Sequence, residues 1–151
     1  MAGCAISGAV LNHLVDRYRD TPMERTKRRP VASGKVRIGM TKTDLRIAAT
    51  DGFRLHAYLF TPVVSNGMFI LFNNATAIVQ RYYHPYATYL STHGYNCLTW
   101  DYRNTGTSID RDKDDQGGLL EWGNYDLSGI LRYIHVTYPN EQLLIIAHSI
   151  G

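Results

Sequence analysis

The sequence has few of the residues that hold metal ions or staple small secreted domains. Only two of its 151 residues are cysteine. Cys4 and Cys97 lie far apart and have no other metal-ligand residues at suitable spacing. Cys97 sits in an apolar stretch, where it is best interpreted as a small core residue. Nothing in this pattern indicates an oxidising compartment, and we expect neither a metal nor a cofactor.

Long hydrophobic runs and a strong charge imbalance are lacking as well. No run approaches the roughly 18 apolar residues of a membrane-spanning helix. The mildly apolar stretch Ala2–Val15 has no basic segment before it, and Asn12 and His13 interrupt it, unlike a secretory signal. The formal net charge is only +3, which is weak evidence for any partner. These features predict a cytoplasmic protein with no transmembrane segment and no nucleic-acid partner, and they leave its oligomeric state open.

The chain has enough apolar residues for one globular core, since 44% of it is hydrophobic. No internal repeat or low-complexity tract is present. Residues 1–39 differ from the rest, because the polar, basic stretch Thr21–Pro30 is typical of a linker. We therefore predict an N-terminal extension or linker at 1–39 and a partial domain at 40–151. Whether Met40 is the true start of translation stays open.

A hairpin is predicted near residue 50. Apolar residues alternate with polar ones before and after the pair Asp51-Gly52. Asp-Gly between two alternating runs is the strongest short-range signal for a β-hairpin.

Three apolar runs after the hairpin are typical of strands buried on both faces. They are Met68–Phe72, Asn96–Tyr102 and Leu143–Ala147. Helical patterns separate them, at Tyr82–His93 and Trp122–Tyr138, with Asp126 expected in the first turn of the second helix, where it favours the helix dipole. Strands that alternate with helices predict an α/β fold with a mostly parallel sheet, preceded here by an antiparallel hairpin.

The last five residues fit the nucleophile elbow G-x-S-x-G, with Ala147 at the first small position, Ser149 at the centre and Gly151 at the end. In that motif a strained strand-to-helix turn lifts the serine hydroxyl above the sheet, and neighbouring backbone passes so close that the flanking positions must be small. The motif directly follows an apolar strand, which is the context that it requires.

Residues 44–151 resemble the N-terminal part of the α/β-hydrolase superfamily, cut off at the nucleophile elbow. The resemblance is greatest to the serine aminopeptidase-like and lysophospholipase-like branch. Three further segments match in order. They are TDGFRLHAYLFTP (Thr50–Pro62), DYRNTGTS (Asp101–Ser108) and EWGNYDLSGILRYI (Glu121–Ile134). In the second of them, Asn104 stands where the family has a glycine.

The resemblance implies a serine hydrolase that cleaves a small-molecule ester or related acyl compound through an acyl-enzyme. Ser149 is then the nucleophile. The oxyanion hole takes backbone N–H groups from Ile150 and from the loop after the third strand, where Thr76 is the expected donor and Ala77 the alternative.

Other charged and histidine residues are interpreted as structural. Asp101 and Arg103 are expected to pin the turn after the fourth strand by an ion pair or by backbone hydrogen bonds. His148 adjoins Ser149 but points to the opposite face, so it is not the base. His84 and His93 flank a helix that the fold places away from the catalytic edge.

The family places the acid and the histidine of the triad after the nucleophile. We therefore expect a hydrolase fragment that is inactive as it stands, with a stand-alone, non-catalytic remnant kept for binding or regulation as the alternative. We also expect the strand Leu143–Ala147 to become a sheet edge, and Ile70, Leu71 and Ile145 to lose their cover.

Overall fold

The computed structural model describes residues 39–109 and 117–151. The predicted extension or linker lies almost wholly outside this range, so the domain division stays a prediction. The same holds for the acidic loop at 110–116. From Met40 onward the chain forms one compact unit.

The predicted hairpin is confirmed. Strand β1 is Met40–Ala48 and strand β2 is Arg54–Pro62, and they pair antiparallel. In the turn between them, Gly52 adopts φ +90°. The Asp51 carboxylate also accepts a hydrogen bond from the backbone N–H of Phe53 at 3.2 Å. Such Asx turns are a local reason for the chain to reverse here.

Five strands form one mixed sheet in the order β1-β2-β4-β3-β5. Strand β3 is Met68–Asn73, β4 is Asn96–Trp100 and β5 is Gln142–Ala147. Strand β3 runs parallel to both β4 and β5, whereas β2 and β4 are antiparallel. The carboxyl ends of β3 and β5 therefore lie side by side, with Asn73 paired to Ala147. In open α/β sheets, ligands bind in the crevice at such carboxyl ends.

The helices lie close to the predicted positions. A 3₁₀ turn at Gln80–Tyr83 leads into α1, His84–Ser91. The second helical segment consists of α2, Leu119–Glu121, a π-helical stretch, Trp122–Leu127, and α3, Ser128–Thr137. Because this segment begins at Leu119, Asp126 is not in its first turn. That expectation is wrong, and the Asp126 carboxylate binds a side chain instead of the helix terminus.

Helix α3 packs against one face of the sheet through Ile130 and Ile134, and α1 packs against the other. The core cluster on the α3 side comprises Ile47, Ala49, Phe53, Leu55, Ala57, Leu59, Phe69, Leu71, Leu98, Trp100, Tyr102, Ile130 and Ile134. On the α1 side, the Phe72 ring contacts those of Tyr83 and Tyr86. The predicted alternation of strands and helices thus buries both faces of β3.

Strand β5 is an edge of the described sheet, as expected. Leu143, Leu144 and Ile145 are 36%, 38% and 48% exposed. The expectation that Ile70 and Leu71 are uncovered is wrong, since they are 4% and 0% exposed. Both belong to β3, which has a strand on each side and a helix on each face. Among the described strands, exposed large apolar side chains are therefore confined to β5.

Candidate active site

Ser149 lies in the turn that follows β5, and its backbone is strained. Its φ is +59°, in the left-handed region that serine rarely adopts. Holding a non-glycine residue there costs roughly 1–2 kcal/mol. Among the described residues, only Ala77 and Asn104 share this property without being glycine. Such strain persists only where the surrounding structure enforces it.

The turn around Ser149 is tight because backbone from β3 passes beside it. The N–H of His148 donates to the carbonyl of Asn73 at 3.1 Å, and the N–H of Gly151 donates to the carbonyl of His148 at 3.1 Å. A Cβ at Gly151 would lie only 2.6 Å from the Asn73 carbonyl oxygen. Only glycine fits this position without displacing β3.

The loop after β3, residues 74–79, lies beside this turn. Its Ala75 is buried, whereas Thr76 and Ala77 are exposed. Ala77 has φ +63°, and the N–H of Ile78 donates to the carbonyl of Ala75 at 3.1 Å. A left-handed residue inside such a turn points successive N–H groups outward, an arrangement that binds anions.

Three backbone donors at this edge have no internal acceptor. The N–H groups of Thr76, Ala77 and Ile150 make no hydrogen bond within the described part of the chain. All three are thus free to bind a developing negative charge. The loop geometry does not select between Thr76 and Ala77, so both alternatives raised by the sequence stand.

Tyr83 connects the loop to the turn. Its hydroxyl accepts a hydrogen bond from the N–H of Ala75 at 3.2 Å and lies 2.9 Å from Nδ1 of His148. Burial raises the pKa of Tyr83 above its usual value, so the phenol keeps its proton at neutral pH. Sequence reasoning missed this role of Tyr83.

Asp101, directly after β4, holds the far end of the loop. One carboxylate oxygen accepts the backbone N–H of Gln80 at 2.7 Å, and the other accepts that of Thr107 at 2.9 Å. The side-chain amide of Asn74 donates to the carbonyl of Trp100 at 2.6 Å. The loop is therefore attached to β4 at both ends.

An apolar cavity of about 500 Å³ adjoins the turn. It is lined by Asn73, Tyr102, Leu119, Trp122, Gly123, Leu127, Ile145, Ile150 and Gly151. The Trp122 ring stacks on that of Tyr102, with centroids 4.7 Å apart. Cavities of this size and polarity are typical of sites for small organic molecules.

Solved structures with a similar fold include hydrolases. An esterase from Pyrococcus furiosus is 19% identical with a TM-score of 0.57, and the match covers 82% of this chain and 44% of that one. A serine hydrolase without a lid from Xanthomonas campestris is 17% identical with a TM-score of 0.55, covering 73% and 51%. A thermostable carboxyl esterase from Bacillus coagulans is 16% identical with a TM-score of 0.61, covering 75% and 38%.

The fold is that of the α/β hydrolases. The described elements match the N-terminal portion of that fold, and the chain spans about half or less of each of these solved structures. At such low identity the likeness is one of fold.

Two other comparisons add little to this result. No family model matches the chain. Among curated proteins, protoheme IX farnesyltransferases from Legionella pneumophila strains are 60% identical over 35 residues. That match covers 23% of this chain and 12% of those proteins.

The α/β-hydrolase fold accommodates the one departure noted in the turn after β4. Asn104 has φ +59°, a conformation that suits glycine best and asparagine next. Asparagine in place of the family glycine therefore preserves the turn. The N–H of Asn104 accordingly still pairs with the carbonyl of Ser108 at 3.2 Å.

Arg103 has the structural role expected of it, through partners that sequence reasoning did not name. Its Nε and backbone N–H both donate to the Asp126 carboxylate at 2.8 Å, and its Nη2 donates to Asp51 at 2.7 Å. Burial raises the pKa of Asp126, although the Arg103 guanidinium opposes the shift. The ion pairs join the turn after β4 to the π-helical stretch and to the hairpin turn.

Four of the five described histidines contact residues other than Ser149. His84 packs against Tyr58 and Phe60, and burial together with the nearby Lys42 ammonium lowers the pKa of His84 to about 4. His93 stacks on Tyr89. No imidazole in the described residues hydrogen bonds to Ser149, which leaves the hydroxyl without a general base there.

His56 has a carboxylate partner that sequence reasoning missed. Its Nε2 lies 2.8 Å from Asp44 on the neighbouring strand, and its Nδ1 contacts Thr107. The register of the hairpin indicates this partner, because it pairs His56 with Arg46 and so places Asp44 diagonally opposite. No group of three metal-ligating side chains occurs in residues 39–109 and 117–151, and no helix there is long and apolar enough to cross a membrane.

Proposed function

We propose that this chain carries the nucleophile, Ser149, and the oxyanion donors, Thr76 and Ile150, of a serine hydrolase. The observation that carries the proposal is the strained backbone of Ser149, in a turn that only glycine at position 151 can close. This strand-to-turn geometry exposes a serine hydroxyl at the top of a sheet. Placement in the serine aminopeptidase-like and lysophospholipase-like branch remains part of the proposal.

The reaction is the cleavage of a small-molecule ester. Ser149 Oγ attacks the acyl carbon while a base takes its proton, and the N–H groups of Ile150 and Thr76 stabilise the oxyanion. The alcohol then leaves and water hydrolyses the acyl-enzyme. Two observations support an ester, namely the apolar cavity lined by Ile150 and Gly151 of the same turn and the esterases among the solved structures of the same fold.

No described histidine hydrogen bonds to Ser149, and the family that the sequence resembles places both the acid and the histidine after the nucleophile. Removing triad members costs orders of magnitude in rate and leaves the contribution of the oxyanion hole and of substrate binding. We therefore propose that residues 1–151 alone do not turn over esters. We also propose a cytoplasmic location.

Chemical rescue tests the proposal. The purified chain is treated with p-nitrophenyl acetate, with and without imidazole as an external base, and acetylated residues are mapped by mass spectrometry. We expect imidazole to accelerate acetylation of Ser149 at least tenfold more than that of Ser65, because only Ser149 has oxyanion donors beside it. Without imidazole, p-nitrophenol release should not exceed that of Ser149→Ala.

The matched control is Ser65→Ala, which removes an exposed serine beside Glu141, at the opposite end of β5 from Ser149, and should leave labelling of Ser149 unchanged. Equal acetylation of Ser149 and Ser65 would exclude a nucleophile elbow and favour the non-catalytic alternative. Turnover without imidazole that depends on Ser149 would show that a histidine within residues 1–151 is the base.

A further inference from the structure

The Tyr83 hydroxyl contacts both the loop after β3, residues 74–79, and the turn that carries Ser149. It is 7% exposed and sits at the end of the 3₁₀ turn. Its ring packs beside Phe72, with centroids 5.9 Å apart, and meets the His148 imidazole edge-on at 6.2 Å. Packing on two sides leaves the ring little rotational freedom.

The Tyr83 phenol can make both hydrogen bonds at once, because its oxygen carries one proton and two lone pairs. The Ala75 N–H can only donate, so the Tyr83 oxygen accepts from it at 3.2 Å. The phenolic proton is then directed to Nδ1 of His148 at 2.9 Å, which accepts it when the imidazole carries its hydrogen on Nε2. One hydroxyl thus bridges two segments that are 73 positions apart in sequence, at residues 75 and 148.

We propose that Tyr83 is a positioning residue that sets the distance between the two oxyanion donors. Ala75 directly precedes Thr76, and His148 lies two residues before Ile150, so the bridge holds the backbone on which each donor sits. Oxyanion stabilisation requires the donors to be held within about 0.5 Å of the productive geometry. The inference rests on the proposed hydrolase function of Ser149.

The backbone alone does not provide this coupling. The N–H of His148 donates to Asn73, the residue before the loop. Apart from the Ala75 bond to Tyr83, the backbone hydrogen bonds described for residues 75–80 go to the loop itself, to Tyr82 and to the Asp101 carboxylate. Tyr83 supplies the direct link from the loop to the serine turn. Its role is therefore to hold donors, and it does not contact the reacting atoms.

Tyr83→Phe tests the inference because it removes the hydroxyl and keeps the ring. Tyr82→Phe is the matched control, since Tyr82 is the adjacent tyrosine, is 67% exposed, and its hydroxyl makes no hydrogen bond to described residues. Hydrogen exchange at the Ala75 amide, followed by mass spectrometry at low protein concentration, reads the bridge directly. We expect exchange to accelerate roughly tenfold in Tyr83→Phe and to remain unchanged in Tyr82→Phe.

The second measurement is the imidazole-assisted acetylation of Ser149. Tyr83→Phe should lower its rate roughly three- to tenfold while the midpoint of chemical unfolding changes little. Adding His148→Ala to Tyr83→Phe should cause no further loss, because both changes break the same bond. His148→Asn retains an acceptor near the Nδ1 position and should keep more of the rate than His148→Ala.

The two measurements separate the two hypotheses. If wild-type Ser149 is not acetylated, the proposed function fails, and exchange at Ala75 still decides whether the bridge exists. If Ala75 exchanges equally fast in Tyr83→Phe and Tyr82→Phe, or if Ser149 acetylation is the same in both, the positioning role of Tyr83 is overturned.

Discussion

Single residues with left-handed backbone mark the places where this chain turns sharply beside its candidate site. Ser149, Ala77 and Asn104 all have φ near +60°. Each follows a strand end, either directly or after a few residues. Glycine serves the same purpose at Gly106, where φ is +49° and the Asp101 carboxylate fills the space that a side chain would need. The turn after β4 therefore requires a residue without a Cβ atom at position 106.

Gly106→Ala should be far more destabilising than Gly52→Ala. Both glycines have positive φ, so either substitution costs about 1 kcal/mol of backbone strain. A Cβ at position 106 would also lie 2.4 Å from an Asp101 oxygen, whereas nothing lies within 4 Å at position 52. Displacing the buried Asp101 should cost a further 2–3 kcal/mol or so. Urea unfolding of the two variants measures the difference, and equal free energies of unfolding would contradict this account.

At the level of elements, buried polar side chains join the loops to the sheet. Arg103 is 2% exposed and Asp126 is 0% exposed, so their ion pair lies fully inside. Removing one member of a buried pair is costly because the other charge stays desolvated. A second partner, Asp51, contacts the same guanidinium from the more exposed hairpin turn, with 30% of its side-chain surface exposed. The Arg103 guanidinium thus binds one buried carboxylate, that of Asp126, and one partly exposed carboxylate, that of Asp51.

Asp126→Asn should lower the free energy of unfolding by about 3 kcal/mol, and Asp51→Asn by about 1 kcal/mol or less. Both substitutions keep the shape and remove one charge next to Arg103, so the comparison isolates burial. Chemical unfolding at low and high salt measures the free energy of unfolding of both variants. Only the Asp51 contribution should weaken as salt increases, because dissolved ions screen the more exposed pair. A larger loss for Asp51→Asn than for Asp126→Asn would contradict this account.

On the scale of the whole molecule, the described sheet has one exposed apolar edge. Strand β5 presents unpaired backbone groups on one side and carries no charged residue from Gln142 to Ala147. Strand β3, in contrast, is buried, so the exposed apolar surface of the sheet is confined to β5. An edge of this kind is a template for pairing with another strand.

Purified residues 1–151 should therefore associate as their concentration rises, and they should bind hydrophobic dyes. Leu144→Lys places a charge on β5 and should reduce both effects severalfold. Val136→Lys is the control, because Val136 is 71% exposed on α3, away from that edge. Sedimentation velocity measures the association. A wild-type chain that stays monomeric, without dye binding, would show that β5 is not an association site.

Local patterns determined much of the fold. Alternation and the Asp-Gly pair located the hairpin, the apolar runs located β3, β4 and β5, and the serine motif lay directly after β5, as the sequence indicated. These features depend on residues a few positions apart, so they can be recognised without knowing the fold. The predicted ends of the helices were less accurate, because the π-helical stretch at Trp122–Leu127 has no distinct sequence pattern of its own.

Tertiary structure alone decided how the candidate site is held together. Tyr83 meets His148 across 65 residues, Arg103 meets Asp126 across 23, and His56 meets Asp44 on the neighbouring strand. The first two partners do not follow from spacing along the chain, because each depends on how distant segments pack together, whereas the third follows from the register of the hairpin. The sequence by itself determined that a serine follows the last strand. The strand order places β5 beside β3. It therefore decided that Tyr83 connects the turn that carries the serine to the loop after β3.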